Sequence, residues 1–417
     1  MQTHLAPEFA GTPEGAEAEA ILRKCVHCGF CTATCPTYQL LGDELDGPRG
    51  RIYLMKQVLE GEVPGRSTLL HLDRCLTCRN CESTCPSGVQ YGHLVDIGRA
   101  IVEERVKRPP RERALRWLLK TGLTSPLFRP AMALGRLARP LLPAALKHKV
   151  PAAPVPGAHR WPTQPHKRKV LLLTGCVQPA MMPNINSATA RVLDAAGIQT
   201  LVADGAGCCG AIRTHLNDRA GGLADMRRNI DAWWPLVERG GVEAIVMNAS
   251  GCGATVKEYG HALARDPAYA DRAARIVALT KDVSELLPDL LPALRKRLRQ
   301  PAGQAPQRIA FHPPCTLQHW QQLRGGVEAA LTELGFEVRL PAAESHLCCG
   351  SAGTYSVLQP ALATALRDRK LGHLQATEPQ AIASANIGCI QHLQSGTATP
   401  VRHWIELVDE ALAPSGP

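Results

Sequence analysis

The spacing of apolar residues divides the chain into a helical first quarter and a longer part in which helices alternate with short strands. Helical periodicity predicts three early helices, over Pro13–Lys24, from Gly47 to about Glu60, and over about Leu94–Val106. Two cysteine-rich loops separate these helices. The pattern therefore predicts an all-helical unit whose helices hold two loops against each other.

Beyond the first quarter, short apolar runs read as strands and amphipathic stretches read as helices. The predicted strands are Lys169–Thr174, Glu243–Asn248, Arg308–His312 and Gln380–Asn386. The predicted helices cover about 184–196, 213–237, 318–334 and 355–374. Because helices separate the strands, the pattern predicts two similar α/β units, each with a parallel sheet.

Eight cysteines in the first quarter form two copies of one motif, Cys-x2-Cys-x2-Cys-x3-Cys-Pro. Three cysteines in one such loop can wrap one iron–sulfur cluster, while the fourth reaches the other cluster. We therefore expect each of two [4Fe–4S] clusters to take three cysteines from one loop and one from the other. The expected first cysteine set is Cys25, Cys28, Cys31 and Cys85, and the second cysteine set is Cys35, Cys75, Cys78 and Cys81.

Two other uses of these cysteines are less consistent with the motif. Zinc ribbons take their ligands in pairs rather than in runs of four cysteines. A disulfide framework is disfavoured because residues 1–24 contain no apolar signal core and are rich in Ala, Glu and Gly. Pro36 and Pro86 also stand where ferredoxin loops place a proline.

The remaining eight cysteines form a second repeated pattern, a single cysteine, a Cys-Cys-Gly triplet and another single cysteine. A vicinal pair can point both thiolates at one metal, and the following glycine lets the backbone approach closely. We expect an additional metal or redox site in each repeat, the alternative being buried structural cysteines. The first module set is Cys176, Cys208, Cys209 and Cys252, and the second module set is Cys315, Cys348, Cys349 and Cys389.

These patterns predict an α+β protein with four segments. Residues 1–108 form an all-helical, two-cluster ferredoxin-like domain, and residues 109–165 form a basic amphipathic segment followed by a Pro/Ala linker. Residues 166–300 and 301–417 form two duplicated α/β modules, here called CCG modules after their Cys-Cys-Gly triplets. The expected cofactors are two [4Fe–4S] clusters, with one or two further iron–sulfur clusters in the CCG modules.

Composition and hydropathy argue against two classes of function, binding of single-stranded nucleic acid and spanning of a membrane. Only 4% of the 417 residues are aromatic, which argues against a platform for single-stranded nucleic acid despite a net charge of +10. No run of 18 apolar residues occurs, so no span of a bilayer is predicted.

The segment from Arg111 to Val150 carries nine basic residues and one acid, interleaved with leucines and broken by prolines. It is typical of a membrane-interface segment, or of a helical linker on the domain or on a partner subunit.

The order of these parts resembles the family of glycolate oxidase iron–sulfur subunits over nearly the whole chain. The resemblance rests on both ferredoxin motifs, on the spacer from Gly42 to Arg51, and on the duplicated CCG modules. Related architectures occur in anaerobic glycerol-3-phosphate dehydrogenase, lactate-utilisation subunits and heterodisulfide reductase. The chain departs from the last of these, since Thr255 and His392 replace the final cysteine of its CxxC ending. That departure argues against non-cubane clusters, and leaves four-ligand sites, with His392 as a possible extra ligand or one module without metal.

The resemblance implies an electron-transfer subunit of a glycolate, and also D-lactate, dehydrogenase, with no catalytic residue of its own. FAD-binding subunits of the same complex would oxidise the 2-hydroxy acid, and membrane quinone would accept the electrons. The implied location is the cytoplasmic face of the inner membrane, as a peripheral protein, with no nucleic-acid partner. The alternatives are a subunit of a related complex, a thiol/disulfide reductase of the heterodisulfide type, and a zinc-bound scaffold.

Overall fold

The computed structural model describes residues 1–141, 143, 150–151, 157–299 and 305–412. The end of the basic segment, at 142 and 144–149, lies outside the described residues. The same is true of positions 152–156 within the predicted linker.

The first third of the chain is helical, as its apolar spacing predicts. Thr12 caps the first helix by accepting a hydrogen bond from the Gly15 amide, and prolines begin several of the others. The helices predicted over Pro13–Lys24 and after Gly47 are confirmed. The helices are α1 (Pro13–Lys24), α2 (Phe30–Ala33), α3 (Pro36–Leu41), α4 (Pro48–Leu59), α5 (Arg66–Asp73), α6 (Asn80–Thr84), α7 (Tyr91–Arg105), α8 (Pro110–Thr124) and α9 (Phe128–Leu137).

Helices α1, α4, α5 and α7 enclose the core of this helical part. Leu22, Met55, Leu72 and Leu94 are fully buried there. Gly98 of α7 lies against Met55, and a Cβ at this position would come within 2.5 Å of the Met55 sulfur. Glycine at position 98 therefore lets α4 pack closely on α7 without displacing the Met55 side chain, and both cysteine loops project from this framework.

Two α/β modules follow, with the same succession of strands. The strands are β1 (Arg168–Leu172), β2 (Ile198–Leu201), β3 (Ala244–Met247), β4 (Thr280–Asp282), β5 (Arg308–His312), β6 (Glu337–Arg339), β7 (Ala381–Ser384) and β8 (Val401–His403). The helices are α10 (Gln178–Met181), α11 (Pro183–Ala195), α12 (Ala211–His215), α13 (Arg219–Glu238), α14 (Ser250–Lys257), α15 (Tyr259–Ala262), α16 (Ala270–Leu279), α17 (Leu287–Arg295), α18 (Gly326–Glu333), α19 (Tyr355–Leu358), α20 (Pro360–Gln375), α21 (Ile387–Gln394) and α22 (Trp404–Ala411).

Both modules contain a four-stranded parallel sheet with the same strand order. The orders are β2-β1-β3-β4 and β6-β5-β7-β8, and β1 pairs with β3 through Val170 opposite Ala244. Successive residues of β1 face opposite layers: Val170 and Leu172 face the other module, whereas Leu171 faces α13 and α16. The α+β class predicted from the sequence, helical first and then two parallel α/β modules, is confirmed.

Several predicted elements differ from the structure. The helix predicted over 318–334 is wrong: residues Thr316–Trp320 form a π-helical turn, and the regular helix is confined to α18. The helix predicted over 213–237 is divided between α12 and α13, and that over 355–374 is interrupted before Pro360. The short strands β4, β6 and β8 were not predicted, because three residues give too little periodicity.

The three parts of the molecule share continuous apolar contacts. One core joins the two modules, where α11 packs on α22. A smaller cluster joins the second cysteine loop to the second module through Leu76, Cys78, Cys348 and Tyr355. The Tyr355 hydroxyl donates to the Arg74 carbonyl oxygen at 3.0 Å. The cysteine loops are therefore held against the second module.

The basic segment packs with much of its charge turned inward. Arg116 pairs with Asp73 at 3.0 Å, and Lys120 pairs with Asp218 at 3.2 Å. Arg136 of α9 donates to the carbonyl oxygen of Ala180 at 2.7 Å. The outward face of α9 and its flanks is apolar: Leu127, Pro130, Ala131, Leu134, Leu137 and Leu141 are exposed. No helix in the described ranges combines the length and apolarity needed to cross a bilayer.

Candidate iron–sulfur sites

The two cysteine loops of the helical domain have the same backbone shape. In the first loop His27 and Gly29 adopt left-handed conformations, with φ of 55° and 85°. In the second loop Thr77 and Arg79 occupy the equivalent positions, with φ of 52° and 57°. Alternating left-handed residues curl each loop so that its cysteines can face one point. The repeated sequence motif thus corresponds to a repeated loop conformation.

The first cysteine set lines one cavity. All four of its members border about 440 Å³ of empty space, together with Cys81, Ile52 and Tyr91. Cys25 is buried, whereas Cys28 is exposed. Burial and then the neighbouring Cys25 and Cys28 thiols raise the pKa of Cys31 to about 11. Thiols crowded in this way lose their protons most readily to a bound metal.

The second cysteine set lines a neighbouring cavity. All four of its members border about 310 Å³ of empty space. Cys81 borders both cavities, so the two sites adjoin. Burial raises the pKa values of Cys78 and Cys81 well above the ordinary thiol value. The cavities bring together the sets predicted from the sequence, although which sulfur binds which cluster stays a prediction.

Cys75 differs from its neighbours because cations surround it. Burial opposes ionisation of its thiol, but the charges of Arg51 and Arg99 lower its pKa overall. The Thr77 amide donates to the Cys75 sulfur at 3.4 Å, and the Tyr91 hydroxyl does so at 3.6 Å. Donors of this kind stabilise a metal-bound thiolate. The contacts of these four residues with the Cys75 sulfur were not predicted from the sequence. Three of the residues lie on α4 or α7, and no local signal connects those helices to this sulfur.

The first module set gathers at the carboxyl ends of β1, β2 and β3, where open α/β sheets place ligands. The pKa of Cys208 falls to about 3 because Cys176 and Cys209 donate hydrogen bonds to its sulfur. The Gly210 amide donates to the same sulfur at 3.4 Å. Those contacts raise the pKa values of Cys176 and Cys209, and Cys209 also contacts Cys252. All four sulfurs therefore meet in one place.

The second module set repeats this arrangement at the ends of β5, β6 and β7. The sulfurs of Cys315 and Cys348 are 3.8 Å apart, and the Cys349 sulfur contacts those of Cys348 and Cys389. Asn386 directs its Nδ2 to the Cys389 sulfur at 3.7 Å. The second set is again a group of four converging thiols, which suits a metal cluster better than unrelated structural cysteines do.

The four sets follow one another through the molecule. Burial and then the charge of Cys315 raise the pKa of Cys78, so the second cysteine set adjoins the second module set. The two module sets approach each other through their flanking residues. Ser250 Oγ lies 2.7 Å from Thr316 Oγ1, and the Gly251 amide donates to the Asn386 Oδ1 at 3.4 Å.

Exposure distinguishes the first cysteine set from the rest. All sixteen cysteines lie within the described part of the chain, and Cys28 is the exposed one. Val26 and Phe30, which flank it, are 68% and 61% exposed. This end of the row of sites therefore meets the surface beside two large apolar side chains.

Three histidines lie close to the module cysteines in the sequence or in the fold, and each has other contacts. His312 is buried, its Nδ1 lies 3.0 Å from Ser384 Oγ, and burial lowers its pKa to about 3. His346 has a pKa lowered by burial, and its carbonyl oxygen accepts from Asn80 at 3.2 Å. His392 directs Nε2 to the Ala363 carbonyl oxygen at 3.0 Å. Thr255 donates to the Gly251 carbonyl oxygen at 2.9 Å.

Family models match three parts of the chain. Residues 21–89 match the 4Fe-4S dicluster domain, and residues 170–257 and 309–394 each match the cysteine-rich domain called CCG. The first match includes both cysteine sets, and the other two include all eight module cysteines, four in each repeat. Iron–sulfur clusters are therefore the cofactors of this chain, in agreement with the prediction.

Whole-chain comparisons give similar proteins. The chain is 55% identical to the glycolate oxidase iron-sulfur subunit of Escherichia coli K12, over 99% of both chains. It is 31% identical to the probable glycolate oxidase iron-sulfur subunit of Bacillus subtilis 168, over 91% of this chain and 89% of that one. Lactate utilization protein A of Geobacillus thermodenitrificans is 26% identical over 54% of this chain and 90% of its own.

Proposed function

Because the chain belongs to the family of glycolate oxidase iron–sulfur subunits, we propose that it relays electrons from a flavoprotein partner toward membrane quinone. The partner would oxidise glycolate, and also D-lactate, to the 2-oxo acid. The chain itself would supply no catalytic residue. [4Fe–4S] clusters supply one-electron transfer when bound by cysteine thiolates.

The observation that carries this proposal is the unbroken row of cysteine sets. Cys81 borders both cavities of the helical domain, and Cys78 lies beside Cys315 of the second module. Electrons would then pass from each set to the next without a mobile carrier. We assign Cys25, Cys28, Cys31 and Cys85 to the first [4Fe–4S] cluster, Cys35, Cys75, Cys78 and Cys81 to the second, and the eight module cysteines to further sites.

The exposed end of this row supports entry of electrons at the first cysteine set. Cys28 reaches the surface between Val26 and Phe30, whereas the second set is covered by the second module. An apolar rim around a surface redox site is suited to contact with another protein. FAD-binding subunits of the same complex would dock there.

The opposite end of the row supports contact with a membrane. The first module set includes Cys176, and α10 begins two residues later and packs on α9. Leu134 and Leu137 on the outer face of α9 are 68% and 80% exposed. An apolar stripe beside the exposed Arg129, on a segment that also exposes Arg111 and Arg113, suits the interface of an anionic bilayer. The chain would then be a peripheral protein of the cytoplasmic face of the inner membrane.

A reconstitution experiment tests the relay. The full chain, purified without oxygen, is mixed with its flavoprotein subunits and glycolate, and its clusters are followed by electron paramagnetic resonance. We expect glycolate to reduce them only when the flavoprotein is present, and we expect no glycolate oxidation by the chain alone. Oxidation by the isolated chain, or a preparation without iron and sulfide, would contradict the proposal.

The lactate utilization relatives favour one second candidate, a related complex that oxidises lactate. The same mixture with D-lactate or L-lactate in place of glycolate distinguishes the two, because the acid is chosen by the partner. Disulfide reduction of the heterodisulfide type is less favoured, since Thr255 and His392 have hydrogen-bond partners where that family has thiolates.

A further inference from the structure

Arg99 is a buried cation that has no carboxylate partner. It lies on α7 and is 7% exposed. Its guanidinium donates to the carbonyl oxygens of Leu72 at 2.7 Å and Cys75 at 2.6 Å, and to the Thr77 hydroxyl at 2.9 Å. Among the described residues, no carboxylate oxygen lies within 4.0 Å of its nitrogens. Its hydrogen bonds are satisfied by neutral groups, and the carboxylate that acts on its charge from farther away, Asp73, is already paired with Arg108 and Arg116.

An unbalanced buried charge is expensive, so buried arginines normally face an acid. Arg51 shows the normal arrangement in the same region: its guanidinium pairs with the fully buried Asp46 at 3.3 Å. The partners of Arg99 instead belong to the loop of the second cysteine set. Four cysteinates outweigh the positive charge of an iron–sulfur core, so a cluster bound there would be net negative. Such a cluster is the missing counter-charge.

Lys370 is a second buried cation that donates to backbone carbonyl oxygens beside a cysteine set, here the second module set. It lies on α20, is 3% exposed, and donates to the carbonyl oxygens of Glu344 and Ser345, the latter at 3.4 Å. The nearby Glu344 carboxylate is engaged by Arg369 and by His373 at 3.0 Å. Within the described ranges, Lys370 has no ion pair of its own. The loop that it holds leads directly into the Cys348–Cys349 pair.

The first module has a neutral residue at the equivalent place. The glycine after each cysteine pair packs on a carbonyl oxygen of the following helix, that of Gly222 in the first module and Ala363 in the second. When the two helices are aligned on these contact residues, Asn229 of the first module occupies the position of Lys370 in the second. Asn229 is buried and bonds the Gly207 amide at 2.8 Å and the Cys208 carbonyl oxygen at 2.7 Å. The two modules thus hold the same loop with an amide in one case and a cation in the other.

We propose that Arg99 and Lys370 are counter-charges that raise the reduction potentials of the clusters held by the second cysteine set and the second module set. Beside the first cysteine set, by contrast, Arg49 is partly exposed and is already paired with Glu44 at 2.6 Å. One electron then leaves the first site and reduces the second, with no bond or proton exchanged. This inference rests on the proposed function, since it assumes that the sets bind clusters.

A simpler explanation is that both cations only hold backbone carbonyl oxygens. The Arg99 side chain extends from α7 to the carboxyl end of α5, and a cation at that end also stabilises α5. The two roles have different consequences. A structural cation affects stability and leaves the reduction potential unchanged, whereas a counter-charge affects the potential.

The test is a redox titration of the full chain, purified without oxygen and followed by electron paramagnetic resonance. In Arg99→Met we expect one ferredoxin-type signal to titrate at lower potential, its reduced-to-oxidised ratio falling about tenfold at a fixed solution potential. Arg99→Lys should retain most of the wild-type value. Lys370→Met should shift a module signal instead. Arg191→Gln is the matched control, because Arg191 is paired with Asp409 and its other contacts, Asn184 and the backbone at 157 and 160, lie outside these loops; its signals should not shift.

If a variant incorporates its clusters poorly, the unfolding free energies of its cluster-loaded and apo forms provide a second test. A counter-charge predicts that Arg99→Met destabilises the cluster-loaded chain more than the apo chain, because only the loaded chain contains the negative cluster. Equal destabilisation of both forms, or unchanged potentials in Arg99→Met and Lys370→Met, would overturn the inference. Absence of any cluster signal in the unmodified chain would instead overturn the proposed function itself.

Discussion

The indole Nε1 of Trp320 donates a 2.8 Å hydrogen bond to the carbonyl oxygen of Thr77. Thr77 lies between Cys75 and Cys78, whereas Trp320 ends the π-helical turn that follows Cys315. One hydrogen bond therefore connects the loop of the second cysteine set to the loop of the second module set. It fixes the distance between two neighbouring sites.

Replacement of Trp320 by phenylalanine tests this connection. The Thr77 carbonyl oxygen would lose its donor, and we expect the cluster-loaded chain to lose about 1 kcal/mol of stability. Electron transfer between the second cysteine set and the second module set should also slow, because the loops are less firmly held. Thermal unfolding and rapid-mixing spectroscopy measure the two effects. Trp117→Phe is the control, since Trp117 is 61% exposed; an equal effect there would contradict the assignment.

Arg79 has an unfavourable backbone conformation that its side chain compensates. Its φ of 57° lies in the left-handed region, which costs a non-glycine residue about 1–2 kcal/mol. Its guanidinium stacks 3.5 Å from the centre of the Trp320 ring and pairs with Glu258 at 2.5 Å. Arg79→Gly should therefore destabilise the chain by about 1–3 kcal/mol in spite of the relieved backbone, because the half-buried Glu258 loses its cation and the Trp320 ring loses its stacked guanidinium.

His27 provides the matched comparison for Arg79. It has the same backbone conformation in the first loop, with φ of 55°, but its side chain is exposed. His27→Gly should leave stability unchanged or raise it by up to about 1 kcal/mol. Denaturant unfolding of both variants measures the difference. A stabilising Arg79→Gly would show that the side-chain contacts contribute less than the strain.

The comparison of Arg79 with His27 also shows how far the sequence could predict this site. Motif spacing identified both loops, because cysteines three residues apart are a local signal, and the predicted exchange of Cys35 and Cys85 between the sets followed from the fourth position of the motif. The contacts of Arg79 with Trp320 and Glu258 could not be predicted, since they join residues more than 170 positions apart. The same holds for Arg99, whose helix is recognisable from its periodicity but whose contact with the Cys75 loop depends on how α5 and α7 pack.

Elements of the fold were predictable for a similar reason. Strands β1, β3, β5 and β7 each contain at least three buried apolar residues, and each matches a predicted run. Strand β6 consists of Glu337, Val338 and Arg339, and its polarity gives no strand signal. The residues after Cys315 have helical periodicity, yet they form a π turn because Leu317, Gln318 and His319 are buried against other loops. There tertiary contacts outweigh local preference.

A pH-sensitive contact joins the helical domain to the first module. His93 Nε2 lies 2.9 Å from Glu258 Oε2, and its ring stacks on His261 with centroids 3.9 Å apart. Burial opposes ionisation of Glu258, but His93 and Arg79 lower its pKa to about 2. Burial likewise opposes protonation of His93, but Glu258 raises its pKa overall, with a smaller contribution from Glu17.

The sign of the pH dependence follows from these two shifts. The lowered pKa of Glu258 contributes stability above about pH 4.5, the unfolded value, and this is lost as pH falls toward 2. The raised pKa of His93 contributes stability below its unfolded value of 6.5, which is lost as pH rises through the folded value. The contact should therefore stabilise most between about pH 4.5 and 6.5. His93→Gln should flatten the decline of stability above pH 6.5 in unfolding measurements; an unchanged slope would contradict the assignment.

The exposed rim of the first cysteine set predicts a partner-dependent defect. Phe30→Glu places a charge beside Cys28 without removing a ligand. We expect normal iron content but slower reduction by the flavoprotein and glycolate, by about tenfold or more, because an apolar contact is lost. Leu340→Glu, on the second module and also exposed, is the control. Equal reduction rates in Phe30→Glu and the unmodified chain would place electron entry elsewhere.

The stripe on α9 predicts a separate loss of membrane binding. Leu134 and Leu137 are exposed one turn apart, and each leucine inserted into the acyl boundary contributes about 1.5–3 kcal/mol. The double substitution Leu134→Glu and Leu137→Glu should therefore weaken binding to vesicles of anionic phospholipid by at least about tenfold, while reduction by the flavoprotein is retained. Val63→Glu is the control, because Val63 is 90% exposed but lies in the helical domain, away from this stripe.

Salt dependence separates the two forces that would hold α9 at a membrane. Arg116, Lys120 and Arg136 bond within the protein, so the described part of the basic segment exposes three arginines, Arg111, Arg113 and Arg129, fewer than the four to eight clustered cations of a polybasic segment. Vesicle binding by the unmodified chain should consequently fall only modestly between low and physiological salt, unlike that of a polybasic segment. If the double variant bound vesicles normally but no longer associated with the flavoprotein, the stripe would be a subunit interface instead. A steep fall with salt would show that the basic side chains, rather than the leucines, hold the chain at the bilayer.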